Sequence, residues 1–282
     1  MLAYERFGEG APLVLIHGLG HRRQAWYPVT SLLAAHRDLI LVDLPGHGTS
    51  PAFEPGGLSF REYLRDEFEA LYAHLGLERP HVAGNSLGGL IALETAAQGR
   101  ASSVTALSPA GFWSGDRYLT YIKGLFGTAI TAADIAWPVL PVLARTTPGR
   151  ALMYAWVTAR PAHISRQAAI GDMRGLARSR PAVRAALAEG NHTFGSPIPE
   201  NVPVTIGWGR QDRVLWPAQA CRARRQLPRA AHESLAGCGH VPMADQPDLI
   251  AGLLLRGSDS PLLPPGAEDS QGESGGRLAT AG

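Results

Sequence analysis

Gly84-Asn85-Ser86-Leu87-Gly88 has the pattern Gly-x-Ser-x-Gly, which is typical of a serine held at a sharp turn between a strand and a helix. The flanking sequence fits that position, because residues 80–83 form a short, partly apolar run and residues 87–97 are rich in strong helix formers. Glycines two positions before and after the serine leave room around the turn. We therefore expect a buried strand, then Ser86 with an accessible hydroxyl, then a helix.

A serine hydroxyl is a weak nucleophile at neutral pH, so it needs a histidine to accept its proton and an acid to orient that histidine. Two later segments supply candidates. The run 203–209 is typical of a buried strand and is followed by Asp212, and a weaker strand at 233–237 is followed by His240. The order Ser86, Asp212, His240 is the nucleophile, acid and base order of one particular fold. We predict these three residues as the catalytic set.

Attack on a carbonyl group also needs two backbone donors for the negative charge that develops on its oxygen. Residues 13–16 form an apolar strand that runs into the glycine-rich turn His17-Gly18-Leu19-Gly20. We predict that the N–H group of Leu19 in this turn and the N–H group of Leu87 after the serine form the oxyanion hole.

In these motifs the chain resembles the α/β-hydrolase family over residues 1–256. The resemblance implies an α/β-hydrolase fold with a helical cap insertion, and it is specific for the fold and the triad but not for the substrate. It also implies structural roles for His17 and His47. An acid after the strand at 104–107 would be the alternative to Asp212, but that position holds Ser108-Pro109. The matching motifs are His17-Gly18-Leu19-Gly20, residues 43–50, residues 84–89, Asp212 and Gly239-His240.

Strand and helix patterns alternate along most of the chain, which predicts a doubly wound, mostly parallel sheet. Strands are expected at 2–7, 12–17 and 39–43, and helices at 24–35 and 60–75, the latter with a capping box formed by Ser59 and Glu62. We divide the chain into a core (1–111 and 201–256), a cap (112–200) that prolines break into short helical pieces at 130–136 and 152–158, and a disordered tail (257–282). The aromatic residues of the cap are expected to form its core, with some lining an apolar acyl or alcohol pocket.

Composition excludes several other function classes. The net charge is +2, and no basic stripe suggests nucleic acid as a partner. Lys123 is the single lysine, which argues against Ser-Lys dyads and Schiff-base chemistry. His232-Glu233 lacks the second histidine of a zinc motif, so we expect no metal, and no dinucleotide fingerprint is present, so we expect no cofactor.

The expected compartment is the cytoplasm. Cys221 and Cys238 make no disulfide framework, the first eight residues lack the apolar core of a signal peptide, and no apolar run reaches membrane-spanning length. The expected partner is a small-molecule substrate, with no nucleic acid and no membrane. The cap holds ten basic and five acidic residues, which fits either a solvated face or a preference for anionic substrates.

The predicted activity is hydrolysis of a carboxylic ester or related acyl bond by a serine hydrolase. Within the family resemblance, hydrolysis of a carbon–carbon bond or of a thioester with the same triad stays open. Dehalogenases and epoxide hydrolases with an aspartate nucleophile are disfavoured by Ser86, and cofactor-free perhydrolases by Leu87. A ligand-binding relative without catalysis is the alternative from another class, although no residue of the Ser86, Asp212 and His240 set and neither glycine of the Gly-x-Ser-x-Gly pattern is missing.

Overall fold

A computed structural model describes residues 1–113, 115–189 and 193–259. Its strands are β1 (Tyr4–Phe7), β2 (Ala11–Ile16), β3 (Arg37–Val42), β4 (His81–Asn85), β5 (Ser103–Leu107), β6 (Val204–Gly209) and β7 (Ala231–Leu235). They form one seven-stranded sheet in the order β1-β3-β2-β4-β5-β6-β7. β1 pairs antiparallel with β3, and the other neighbouring strands are parallel.

Helices cover both faces of this sheet and form an insertion between β5 and β6. They are α1 (Tyr27–Leu33), α2 (Phe60–Leu75), α3 (Leu87–Ala97), α4 (Asp116–Ala136), α5 (Leu140–Leu143), α6 (Thr147–Tyr154), α7 (Arg166–Ala188), α8 (Ala218–Gln226), α9 (Pro242–Asp245) and α10 (Pro247–Asp259). Two 3-10 turns lie at Arg23–Trp26 and Pro161–His163.

Alternate residues of the central strands enter different cores. On β2, Val14 and Ile16 pack in the core that includes α2 and α3, whereas Leu13 and Leu15 pack in the core that includes α1 and α10. A strand covered on both faces must be apolar at consecutive positions, which explains the unbroken apolar runs in the sequence. The predicted doubly wound, mostly parallel sheet is confirmed.

The sheet topology brings the predicted motifs to one edge. β2, β4, β6 and β7 are parallel neighbours or near neighbours, so their carboxyl ends point the same way. The loops that follow these four strands carry Leu19, Ser86, Asp212 and His240. In open α/β sheets this edge is where ligands bind.

The helix predicted at 60–75 is confirmed at both ends. The Ser59 hydroxyl accepts the Glu62 backbone N–H (3.2 Å), and the Glu62 carboxylate accepts the Ser59 N–H (3.0 Å). Gly76 ends the helix in the left-handed conformation, with φ at 66°. Local capping signals therefore mark both ends of this helix in the sequence.

The helix predicted at 24–35 is shorter than expected. A 3-10 turn occupies Arg23–Trp26, and α1 runs only over Tyr27–Leu33. Pro28 lies in the first turn of α1, where its missing N–H costs nothing, so this proline begins a helix rather than continuing one.

The insertion also differs from the expected short helical pieces. α4 has 21 residues and α7 has 23, and α7 continues through Pro181. Pro138, Pro141, Pro148 and Pro161 lie between these two helices, and Pro148 occupies the first turn of α6, where proline is tolerated. No helix in the described part of the chain is both long and apolar enough to cross a membrane.

The predicted disordered tail begins too early, because α10 continues through Asp259. Gly257 is buried, and the Arg37 guanidinium donates to the Ser258 hydroxyl (2.8 and 3.0 Å) and pairs with the Asp259 carboxylate. Residues 257–259 therefore belong to the folded α/β domain rather than to the tail, because Ser258 and Asp259 accept hydrogen bonds from a largely buried arginine. The rest of the predicted tail, 260–282, lies outside the described residues.

We expect a chain that ends at Arg256 to be less stable than one that ends at Asp259, by about 1 kcal/mol or roughly 2–4 °C in Tm. The shorter chain loses both side-chain acceptors of Arg37 and keeps the His36 carbonyl as an acceptor, while the Arg37 side chain is only 10% exposed. Thermal melts of the two truncated chains measure the difference. In an Arg37→Ala background it should shrink, and equal Tm values for the two chains would contradict the assignment.

Candidate active site

Ser86 sits at a strained turn between β4 and α3. Its φ and ψ are 57° and −116°, a backbone conformation that residues other than glycine rarely adopt. A Cβ on Gly84 would overlap the Gly88 carbonyl, and a Cβ on Gly88 would overlap the Ile16 carbonyl at the end of β2. Both glycines are therefore required by close backbone contact, which lets α3 begin directly against the neighbouring strand.

Backbone hydrogen bonds on both sides hold the strained turn in place. The Ser86 N–H donates to the Leu107 carbonyl (2.9 Å), and the Ser86 carbonyl accepts N–H groups from Leu90 (3.1 Å) and Ala110 (3.0 Å). Because the main chain is fixed at both its donor and its acceptor, the serine cannot relax to an ordinary conformation. Strain that the surroundings enforce in this way is typical of functional sites.

His240 and Asp212 form a buried hydrogen-bonded pair. The Nδ1–H of His240 donates to Asp212 Oδ2 (2.8 Å), and the two residues are 5% and 4% exposed. Asp212 Oδ1 accepts the N–H groups of Val214 and Leu215, each at 2.8 Å. The carboxylate is thus held at both oxygens, by the backbone at Oδ1 and by His240 at Oδ2. With the proton on Nδ1, the second ring nitrogen of His240 is left as an acceptor.

Asn85 joins the serine turn to the histidine loop. Its side-chain amide donates to the Leu107 carbonyl (3.1 Å) and to the His240 carbonyl (2.8 Å), and the residue is 3% exposed. The sequence pattern leaves position 85 free, so the role of Asn85 was missed. No local signal could have found it, because its partners lie 22 and 155 residues away.

Asp245 is a second residue that sequence reasoning missed. Its carboxylate accepts backbone N–H groups from Gly239 (2.7 Å), Ala159 (3.0 Å) and Arg160 (2.7 Å), and the residue is 1% exposed. These three bonds tie the loop that carries His240 to the segment of the insertion between α6 and α7.

Two buried histidines brace the loop that carries Leu19. His17 donates from Nδ1 to the Gly18 carbonyl (2.8 Å) and accepts the Leu44 N–H at Nε2 (3.0 Å). His47 donates from Nδ1 to the Pro45 carbonyl (2.9 Å) and accepts the Gly20 N–H at Nε2 (3.1 Å). All four ring nitrogens are engaged with the backbone, in line with the structural roles predicted for both residues.

Burial keeps these two rings neutral. Burial, with a smaller contribution from His47, lowers the pKa of His17 well below its usual range. Burial lowers the pKa of His47 to about 4, against opposing contributions from its hydrogen bond to Pro45 and from Asp43. Neutrality is what the geometry needs, because a protonated ring could not accept the N–H groups of Leu44 and Gly20.

The structure brings the predicted site residues to a common place. Ser86, Leu19 and His240 line one cavity of about 450 Å³, and Ser86, Leu19 and Leu87 line a smaller one of about 100 Å³. Leu87 is the first residue of α3, and the N–H groups of a first helical turn have no partner within their helix. Several aromatic residues of the insertion line these cavities, as predicted: Trp113, Phe126, Trp137, Tyr154 and Trp156.

Asp172 is the single carboxylate in the described lining of the large cavity. Its two oxygens accept from Arg22 Nε (2.8 Å) and from the Tyr154 hydroxyl (2.8 Å). Burial and the adjacent Asp172 raise the pKa of Tyr154, so this phenol stays protonated. Asp172 therefore links the insertion to the core at Arg22.

Among the described residues, no group of three or more histidine, cysteine, aspartate or glutamate side chains is placed to hold a metal ion.

The sequence matches the Alpha/beta hydrolase family over residues 13–253. Epoxide hydrolase EphH of Mycobacterium tuberculosis is 32% identical over 205 residues, which cover 68% of this chain and 91% of that protein. The acetyltransferase component of an acetoin cleaving system from Pseudomonas putida is 30% identical over 247 residues, covering 81% of this chain. A pimeloyl-[acyl-carrier protein] methyl ester esterase from Aeromonas salmonicida is 40% identical over 95 residues, covering 34% of this chain.

The chain spans 60% of the length of the Pseudomonas putida protein and 35% of the length of the Aeromonas salmonicida esterase. Among solved structures, a hydrolase from Pseudomonas aeruginosa matches with a TM-score of 0.72 at 19% identity, covering 92% of this chain and 94% of that one. An esterase from Thermogutta terrifontis matches with a TM-score of 0.67 at 21% identity, covering 92% and 94%. At this identity the two structures support the fold.

Acid should destabilise the protein through His47. The unfolded chain takes up a proton on this residue near its ordinary pKa of about 6.5, whereas the folded chain does so only near 4, so stability is full above 6.5 and falls as the pH drops toward 4. The difference corresponds to about 3 kcal/mol. His47→Gln, which keeps an acceptor for Gly20, should show a flatter decline in urea melts between these pH values.

The matched control for this experiment is His36→Gln, because His36 is exposed. It should follow the pH dependence of the unsubstituted protein. A His47→Gln variant with the same acid dependence as the unsubstituted protein would show that the His47 ring is not the group that titrates.

Proposed function

Because the chain belongs to the α/β-hydrolase family, we propose that it is a serine hydrolase that cleaves a carboxylic ester through Ser86, His240 and Asp212. The observation that carries this proposal is the His240–Asp212 hydrogen bond of 2.8 Å beside the cavity that Ser86 lines. It gives the histidine the tautomer that can accept a proton from a serine hydroxyl. The insertion acts as a cap, since residues of α4, α6 and α7 line the same cavity.

In the first half of the reaction, Ser86 Oγ bonds to the ester carbonyl carbon while its proton passes to His240 Nε2. The carbonyl oxygen becomes an oxyanion and accepts the N–H groups of Leu19 and Leu87. Asp212 stabilises the imidazolium. The carbon–oxygen bond to the alcohol then breaks, and His240 returns the proton to the departing oxygen, which leaves an acyl group on Ser86.

In the second half, water replaces the alcohol. His240 takes a proton from the water as its oxygen bonds to the acyl carbon, and a second oxyanion forms at the same two N–H groups. The bond to Ser86 Oγ breaks, and the serine recovers its proton from His240. The products are one carboxylic acid and one alcohol, and the protein returns to its starting state.

The identity of residue 86 separates this chemistry from that of a carboxylate nucleophile. Epoxide opening through an ester intermediate on an acidic side chain would need Asp or Glu at the turn, and this chain has a serine. Ester cleavage is supported by the relative named as a methyl ester esterase, whose match includes about a third of this chain. Position 86 therefore favours acyl transfer over epoxide hydrolysis.

Ser86→Ala should lower kcat/KM for p-nitrophenyl esters by about 10³-fold or more, because the bond-forming oxygen is removed. The fold should persist, because the backbone bonds of residue 86 do not involve the hydroxyl. Ser31→Ala, on an exposed face of α1, is the matched control and should keep full activity. Retained turnover in a folded Ser86→Ala protein, checked by circular dichroism, would refute the nucleophile.

Asp212→Asn should lower kcat by about 10²- to 10⁴-fold, less than His240→Ala does. An amide can still contact the imidazole, but it does not stabilise the imidazolium ion and it favours the wrong tautomer. Asp66→Asn changes an exposed aspartate in the same way and should leave kcat unchanged. If Asp212→Asn were nearly as active as this control, Asp212 would not be the acid of the triad.

A further inference from the structure

Two cavities of unequal size meet at Ser86. The larger, of about 450 Å³, has more than four times the volume of the smaller, of about 100 Å³. Leu19, Ser86 and Phe126 line both of them. The nucleophile therefore stands at a junction, and the two halves of a bound ester must extend in different directions from it.

Phe126 forms the wall between the cavities. It lies on α4, is 8% exposed, and packs edge-on against Trp156, with ring centroids 5.9 Å apart and planes at 88°. A buried aromatic ring held by another aromatic ring is a rigid boundary. Its ring therefore stands between the space on the Leu87 side of Ser86 and the space on the His240 side.

The catalytic groups distinguish the two compartments. His240 lines only the large cavity and Leu87, which offers one oxyanion N–H, lines only the small one, while Leu19, which offers the other, lines both. His240 must deliver a proton to the leaving oxygen, so the alcohol half has to lie where the imidazole reaches. The two N–H groups hold the carbonyl oxygen, and the acyl chain extends from the carbonyl carbon away from His240, toward the cavity that Leu87 lines.

We propose that this enzyme hydrolyses esters of a short acyl group with a large apolar alcohol, with the acyl group in the small cavity and the alcohol in the large one. The inference rests on the serine hydrolase function proposed above. A cavity of about 100 Å³ has room for a few non-hydrogen atoms, which corresponds to an acyl group of about two to four carbons.

The large cavity suits an extended apolar alcohol. Its wall includes Leu140, Leu143, Met153, Trp156 and Leu176. Trp137 and Leu152 also line it and are 43% and 73% exposed, so the cavity reaches the surface of the insertion. An alcohol longer than the enclosed part can therefore continue toward solvent past two apolar side chains.

A pair of isomeric esters tests the orientation directly. Hexyl acetate and ethyl hexanoate have the same atoms, and they differ only in which half is long. We expect kcat/KM for hexyl acetate to exceed that for ethyl hexanoate by about tenfold or more, since several methylene groups are misplaced in the second ester. Acid release in a pH-stat measures both reactions with the full chain. Equal values, or a preference for ethyl hexanoate, would overturn the proposal.

Hydrolysis of p-nitrophenyl acetate separates failure of this proposal from failure of the serine hydrolase function. Turnover that Ser86→Ala abolishes, combined with no preference for hexyl acetate, overturns the orientation alone. If p-nitrophenyl acetate is not hydrolysed by the unsubstituted protein, both proposals are overturned.

Two substitutions should move the isomer preference. Ala177→Phe narrows the large cavity and should lower the hexyl acetate to ethyl hexanoate ratio of kcat/KM. Leu187→Ala widens the small cavity and should lower the same ratio by admitting the longer acyl chain. Melting curves check that each variant is folded. A folded variant of either kind with an unchanged ratio would contradict the assignment of that cavity.

Discussion

The contact between the start of α3 and the end of β2 is the constraint on which the site depends. A Cβ on Gly88 would overlap the Ile16 carbonyl, and a Cβ on Gly84 would overlap the Gly88 carbonyl. The chain can therefore turn through the positive φ of Ser86 only with glycine at both positions. Hydrogen bonds to Leu107 and Ala110 then hold the turn. Because this geometry is fixed by packed backbone, the serine is directed at the cavities whether or not a ligand is bound.

Buried polar side chains fix the surrounding loops by accepting backbone N–H groups. Asp212 accepts two such groups, Asp245 accepts three, and His17 and His47 accept one each. In loops that follow strands, many backbone N–H groups have no hydrogen-bond partner in the sheet. The side-chain acceptors supply those partners. The arrangement explains how four separate loops can keep fixed positions around one serine.

Local signals made part of this structure predictable. The capping box of α2 and the glycines around Ser86 are specified by neighbouring residues, and the sequence order of Ser86, Asp212 and His240 predicted which loops meet. Asn85 and Asp245 escaped prediction because their partners are main-chain groups, most of them far away in sequence. The insertion differs from its prediction for another reason: a proline does not always break a helix, since in α5 and α6 it lies in the first turn and α7 continues through Pro181.

The central claim is that Ser86 is an activated nucleophile, and covalent labelling tests it most directly. A fluorophosphonate reacts with a serine only where a base removes the proton and an oxyanion hole accepts the phosphonyl oxygen. Intact mass followed by peptide mapping should find one phosphonyl group, on Ser86, and His240→Ala should prevent its addition. An unlabelled protein, or a label on a different serine, would contradict the account.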